Sequence, residues 1–217
     1  VDIYLESPLD ESQVLEFGFK HVILATGSKW RADGVGRHNR APLAGLSDIT
    51  VLTPDDVMAG AKIMGHVVLF DDDHNYMGGV IAEKLIAEGC TVTFVTPASQ
   101  VSIWQDLSLD QSRIQARLME LGADIIVSHG IEELSTKGAK AVCVYSGHAR
   151  WIECDTVVTV TERAPNDGMY LSLKGQSEKL SNAGIETLKI IGDCEAPGLI
   201  AAAIYGGHKA ARDFQRS

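Results

Sequence analysis

The sequence predicts an α/β fold built on a parallel sheet, and three observations carry that reading. Apolar runs without alternation, such as Val22-Ile23-Leu24-Ala25 and the stretch at 156–160, look like strands covered on both faces. Residues 66–95 read strand, helix, strand within about thirty residues, which is a βαβ unit. Leu188-Lys189-Ile190-Ile191 runs into Gly192-Asp193, and an Ala-rich helix follows Pro197 and Gly198.

The elements follow in order. Val1, Ile3 and Leu5 alternate with Asp2, Tyr4 and Glu6, which predicts a short strand. Asp10, Glu11 and Ser12 follow Pro8 and predict a turn. The run at 22–25, closed by Gly27, is the next strand. Residues 28–60 carry Gly34, Gly36, Pro42, Gly45 and Pro54 and read as a connector. Inside it, Thr53 suits an N-cap, Pro54 the first helical position, and Asp55 and Asp56 the first turn of a short helix ending at Gly60. Residues 66–70 form a strand and 71–77 a polar loop. The helix at 78–88 sets Ile81 and Leu85 on one face, and Gly89 sits just past its end. Residues 91–95 form the second strand, parallel to the first through a right-handed crossover. Ile114, Leu118 and Leu121 mark an amphipathic helix at 110–121, followed by a strand at 123–127. Residues 141–145 and 151–153 flank Ser146-Gly147-His148-Ala149 and predict a hairpin. A buried strand follows at 156–160. Residues 161–184 have weak periodicity. The last strand and turn cover 188–193, and the last helix runs from Leu199 to about Phe214.

Composition bounds the function. The 217 residues hold 19 Lys and Arg against 29 Asp and Glu, a net charge of -10. That balance excludes general nucleic-acid binding, which needs a basic footprint, and attraction to an anionic membrane surface. No run approaches the roughly 20 apolar residues that span a bilayer. Val1 is followed by no charged and apolar leader, so no signal peptide is expected. Cys90, Cys143, Cys154 and Cys194 lie far apart with no C-x-x-C pair, which argues against zinc or an iron–sulfur cluster in this chain. They read as reduced thiols of a cytoplasmic protein.

Two strand ends are candidate ligand positions: Ala25-Thr26-Gly27 and Gly192-Asp193. In open α/β sheets, ligands sit beyond the carboxyl ends of strands. Glycine there admits a ligand to the backbone, and the helix after Pro197 turns free N–H groups to the same place, as a phosphate requires. Asp193 suits ribose or ribityl hydroxyls; the alternative is that Gly192 and Asp193 cap the helix. The βαβ turn offers a contrast. With Gly78 as the third glycine of G-x-G-x-x-G, Asn75 and Asp73 stand at the other two, beside Asp71 and Asp72. Two carboxylate and phosphate charges about 5 Å apart repel by roughly 3 kcal/mol at an effective dielectric near 20. The following strand ends in Val95-Thr96-Pro97-Ala98-Ser99, without an acid for an NAD ribose or an Arg for an NADP phosphate. The expectation is a nucleotide fold that has lost NAD(P). Asp71, Asp72, Asp73 and His74 are consecutive and cannot all face one metal ion, so a solvated acidic turn is expected. The other histidines show no metal spacing, Trp30, Trp104 and Trp151 are isolated, and Arg31, Arg37 and Arg40 are expected in solvent.

Phe19 to Gly27 resembles the "ATG" strand of flavoprotein disulfide-reductase-type domains, and Ile190 to Ala211 their closing "GD" segment. More narrowly, Ala25-Thr26-Gly27-Ser28-Lys29-Trp30, Leu52-Thr53-Pro54-Asp55-Asp56-Val57-Met58, Tyr76-Met77-Gly78-Gly79 and Gly192-Asp193-Cys194-Glu195-Ala196-Pro197 resemble the C-terminal region of the trimethylamine dehydrogenase group. That group includes dimethylamine and histamine dehydrogenases, within the NADH:flavin oxidoreductase or old-yellow-enzyme-like superfamily, and is related to dienoyl-CoA reductase. The likeness covers nearly the whole chain.

The resemblance implies a Rossmann-like, FAD/NAD(P)-binding-type parallel lobe at 61–160. It also implies a discontinuous, partial second nucleotide-binding lobe at 1–60 and 161–217, with ADP or FAD on Ala25, Thr26, Gly27, Gly192 and Asp193. It implies a longer parent whose N-terminal barrel carries FMN and a 4Fe-4S cluster, which oxidises an amine and passes electrons to an electron-transfer flavoprotein. The parent is expected to be a homo-oligomer. A barrel takes about 250 residues, so this chain holds none and is expected to be an inactive fragment, partnered by the rest of its parent chain. Lacking the first Gly-rich unit, it is expected to bind nucleotide weakly. Two alternatives are an NAD(P)H-dependent flavin reductase of the dienoyl-CoA reductase type, and a structural or docking module.

Overall fold

Capping chemistry sets the first helices. The structure, a computed structural model, describes residues 2–214. α1 (Glu11–Glu16) starts on Asp10, whose carboxylate accepts the Gln13 amide at 2.9 Å while the Gln13 side chain accepts the Asp10 amide. The expected turn at 10–12 is therefore a helix start, set by the spacing of Asp10 and Gln13. The strand expected at the beginning of the chain does not form over residues 2–6: Ile3, Tyr4 and Leu5 are exposed and pair with no strand among the described residues. β1 (His21–Leu24), β2 (Ser28–Trp30) and β3 (Thr50–Leu52) come next. α2 (Pro54–Met58) begins on Thr53 in a second capping box, with Asp56 returning to the Thr53 amide at 2.8 Å.

The βαβ unit is β4 (His66–Asp71), α3 (Met77–Ala87) and β5 (Thr91–Val95). A 3-10 turn at Ile103–Ser108 leads to α4 (Gln111–Glu120) and β6 (Asp124–Ile126). β7 (His129–Ser135), β8 (Gly138–Cys143) and β9 (Ala149–Ile152) follow, then β10 (Thr156–Val160) and β11 (Arg163–Pro165). The weakly periodic stretch holds two short helices between glycines, α5 (Gly168–Lys174) and α6 (Ser177–Asn182). β12 (Thr187–Ile190) and α7 (Ile200–Phe214) close the chain.

Contacts divide the chain into two compact units, Val1–Lys29 with Arg163–Ser217, and Trp30–Glu162. The boundary differs from the expected 60/61 and 160/161. Residues 30–60 belong with the middle unit because β3 pairs with β10 and Val57 of α2 is buried in that unit's core.

In the 30–162 unit, five parallel strands lie in the order β3-β10-β4-β5-β6. The strand period of two divides their side chains. Val67, Leu69, Val92, Phe94, Val158 and Val160 join the core that also contains Ile81, Leu85 and Leu118 of α3 and α4. Val68, Phe70, Val95 and Val157 join a second core with Ile131, Leu134, Ala139 and Ala141 of β7 and β8. Two covered faces explain why these strands read as continuous apolar runs. β7, β8 and β9 form an antiparallel sheet, so the expected hairpin gains a third strand. β7 was hidden by Glu132-Glu133 and by a register shift between Ile131 and Glu133.

In the other unit, β1 and β12 form a two-stranded parallel pair over Val14, Leu24 and Leu173. Only Leu24 of β1 is buried, so the expectation of a strand covered on both faces fails there. β2 and β11 form a further two-stranded pair. Among the described residues, no helix is long and apolar enough to cross a membrane.

Candidate functional site

Parallel pairing of β1 and β12 brings their C-terminal ends together, and with them Ala25-Thr26-Gly27 and Gly192-Asp193. The Ile191 amide donates to the Leu24 carbonyl at 3.0 Å. Gly27 and Gly192 take φ of 75° and 66°, which side chains disfavour. The Thr26 hydroxyl donates to the Asn166 carbonyl at 2.5 Å, and the Asn166 side-chain amide donates back to the Thr26 carbonyl at 3.1 Å. Ala25 and Thr26 are exposed, while Cys194, 3.0 Å from Thr26 Oγ1, is buried. α7 passes close by: a methyl on Gly206 would lie 3.7 Å from the Gly192 nitrogen.

Asp193 is heavily engaged. Its Oδ2 accepts from Arg163 Nη1 and, at 3.1 Å, from the Ser28 hydroxyl; its Oδ1 accepts the Gly198 amide at 3.1 Å. Arg163 Nη2 also donates to the Gly198 carbonyl at 2.7 Å. The carboxylate therefore braces the approach to α7, and one Oδ1 lone pair is left over from these bonds. Sequence reasoning missed Arg163, Asn166 and Ser28. No local signal could reveal them, because their partners lie 30 to 165 positions away.

The acidic turn of the other unit differs from its expected solvated form. Asp71 and Asp72 are fully buried. Burial pushes the Asp71 carboxyl well above its ordinary value, and the charges of Asp73 and Asp72 push the same way. The His74 amide, donating to Asp71 Oδ1 at 3.3 Å, pulls against them. Asp72 Oδ2 accepts the His38 amide at 2.7 Å, and its Oδ1 lies 3.5 Å from His74 Nε2. Burial holds His74 below the usual imidazole range; Asp72 opposes this, and Arg37 and His38 add to it. Trp104 sets its ring edge-on to His74 at 5.8 Å between centroids, with the Arg37 guanidinium 4.1 Å over its face.

Among the described residues no group of three His, Cys, Asp or Glu converges as a metal site. The connector arginines are used within the connector and its surroundings. Arg31 pairs with Asp33 at 2.5 Å, Arg40 donates to the Gly36 carbonyl at 3.3 Å, and Arg37 sits on Trp104. A groove of about 730 Å³ runs between α3 and α4, and its charges are paired, Arg113 with Asp110 and Arg117 with both Glu83 and Glu120.

Residues 52–146 match the family of OYE-like second alpha/beta domains. The chain is 31% identical over 231 residues to dimethylamine dehydrogenase of Hyphomicrobium sp. (strain x), covering 97% of this chain and 31% of that protein. The structure of histamine dehydrogenase from Rhizobium sp. 4-9 matches with a TM-score of 0.93 at 42% identity, covering 96% of this chain and 31% of that one. The chain is an amine-dehydrogenase homologue. A 6-hydroxypseudooxynicotine amine oxidase from Pseudomonas geniculata N1 matches almost as well, with a TM-score of 0.92 at 36% identity over 96% of this chain and 31% of the other. This homologue spans about a third of the length of the relatives it matches. Its matched OYE-like span contains the acidic turn and lies wholly inside the 30–162 unit, whereas the five residues at the ends of β1 and β12 fall outside that span.

Proposed function

We propose that the chain is the nucleotide-fold part of an amine-oxidising iron–sulfur flavoprotein, contributing an ADP-binding (or FAD-binding) half-site and scaffolding, not the catalytic centre. Convergence of Ala25, Thr26, Gly27, Gly192 and Asp193 at the ends of two parallel strands supports the half-site. Ala25 and Thr26 are exposed. Gly27 and Gly192 let a nucleotide approach the main chain, and Asp193 takes a hydroxyl on its remaining lone pair. The 30–162 unit is a Rossmann-like lobe in this reading. In this reading an N-terminal barrel of the parent would hold FMN and a 4Fe-4S cluster, which would supply the oxidation of the amine and the relay of its electrons to an electron-transfer flavoprotein. The parent is a cytoplasmic homo-oligomer, and the fragment alone is inactive.

The flavin reductase alternative is disfavoured by the turn at 71–78, where Asp73 and Asn75 stand at the first two glycine positions of a diphosphate-cradling turn. The test is to denature purified full-length parent and separate what it releases by chromatography. One adenine nucleotide per chain is expected, and its loss in a Gly192→Val variant. Release of no nucleotide from the wild type overturns the proposal in favour of a purely structural or docking module.

A further inference from the structure

The five-stranded sheet has a topological switch point. From β4 the chain builds β5 and β6 on one side, while β10 and β3 lie on the other, so the β4–β10 crevice opens at their C-terminal ends. Open parallel sheets bind their ligands there. Asp71 at the end of β4, Asp72 after it, and Thr161 after β10 form the rim.

Residues of the same unit already occupy this mouth. Asp72 Oδ2 accepts the His38 amide at 2.7 Å. A methyl on Gly36 would lie 2.5 Å from Asp72 Oδ2 and 3.1 Å from Thr161 Cβ, so the loop backbone touches both sides of the crevice. The loop is closed on itself, with the Gly36 amide donating to the Asn39 carbonyl and the Leu43 amide to the Asp33 carbonyl, both at 2.9 Å. Three contacts fasten it from outside. Asn39 Nδ2 donates to the Ile131 carbonyl at 2.8 Å, Leu43 is buried in the core with Ile131 and Leu134, and Arg37 stacks on Trp104. On the other rim, Gly78 packs on the Asp71 carboxyl, where a methyl would lie 2.8 Å from Cγ.

We propose that residues 33–43 are a built-in plug of the switch-point crevice, with Gly36 as its contact and Asp72 as its latch, which excludes nicotinamide dinucleotides by occupying their place. This replaces the explanation by charge repulsion. Asp71 is buried and shifted toward its neutral form, and Asp72 is already spent on a loop amide, so the space is filled whatever the charge of the turn. The inference does not rest on the nucleotide half-site proposed for the other unit.

The two explanations separate experimentally. The full chain is titrated with NADH and NADPH in the presence of saturating ADP, which fills any adenine nucleotide site elsewhere. Wild type and an Asp71→Asn/Asp73→Asn variant, which removes two of the turn's three carboxylates and leaves the Asp72 latch in place, are compared. With a plug, neither binds below about 1 mM. Micromolar binding by the wild type overturns the plug, and micromolar binding by the variant alone returns the explanation to charge. Hydrogen exchange of the wild type gives a second measurement that needs no variant. The His38 amide is expected to exchange at least about a hundredfold more slowly than an unprotected amide; exchange at the rate of an open loop overturns the proposal. Gly36→Ala is expected to raise exchange at residues 37–39 about tenfold or more, and an unchanged rate denies Gly36 its role.

Discussion

Asp71 has no solvent on any side, and only part of its hydrogen-bonding capacity is used: the His74 amide meets Oδ1, while Oδ2 has no partner. Its folded-state pKa lies above the ordinary 3.8. The folded protein thus holds this proton more tightly than the unfolded chain, and the group's contribution to stability falls as pH rises from 3.8 through the folded value. Asp71→Asn removes that slope. The variant should gain stability over the wild type between pH 4 and pH 7.5, read as a growing difference in urea midpoint; a constant difference would show that Asp71 does not titrate in this way. The cysteines differ by the same physics. Hydrogen bonds from the Ser146 hydroxyl and from the Ser146 and Tyr145 amides hold the Cys143 thiol below its usual range. Burial pushes Cys154 up to about 11 and raises Cys90. Iodoacetamide at pH 7.5 should therefore label Cys143 first, by about tenfold or more over Cys90 and Cys154. Nothing near Cys143 in the sequence distinguishes it except Ser146, three residues on, and that hydroxyl acts only because the β8–β9 turn folds it back.

Among the elements, local chemistry placed helix starts and tertiary contact placed strands. Thr53-Pro54-Asp55-Asp56 announced α2, and the capping box is there. Thr53→Ala removes an acceptor for the Asp56 amide and should cost about 1 kcal/mol, measured by urea unfolding. A loss below about 0.3 kcal/mol would mean that packing of Val57, not the cap, fixes this helix. The strand expected at the start of the chain failed for the complementary reason. Alternation is a pattern that a partner strand must complete, and residues 2–6 have none among the described residues. β7 shows the opposite case, a strand whose glutamates hide its alternation but whose ladder to β8 runs from His129↔Cys143 to Ser135↔Gly138.

At the scale of the molecule, the unit formed by 1–29 and 163–217 carries exposed apolar side chains at the start of α7 and on the residue before it. Leu199, Ile200, Ile204 and Tyr205 are 49%, 69%, 57% and 69% exposed. Exposed apolar side chains gathered in this way mark an interface, and about two-thirds of the relatives' length lies outside the part this chain matches. The 217-residue chain in isolation should self-associate, and Ile200→Glu/Ile204→Glu should shift it toward monomer in sedimentation velocity with unchanged melting temperature. An isolated wild type that is monomeric at high concentration would count against the interface.

The sequence by itself determined the parallel α/β architecture, the βαβ unit and the Thr53 cap of α2. These follow from periodicity and from short-range bonding, which a chain carries locally. Tertiary structure alone decided the rest: that residues 30–60 pack with the middle unit, that Arg163 and Ser28 claim Asp193, and that the acidic turn is buried beneath the 33–43 loop. Burial and partnership depend on residues distant in the chain, and a carboxylate's chemistry is set by what surrounds it in space.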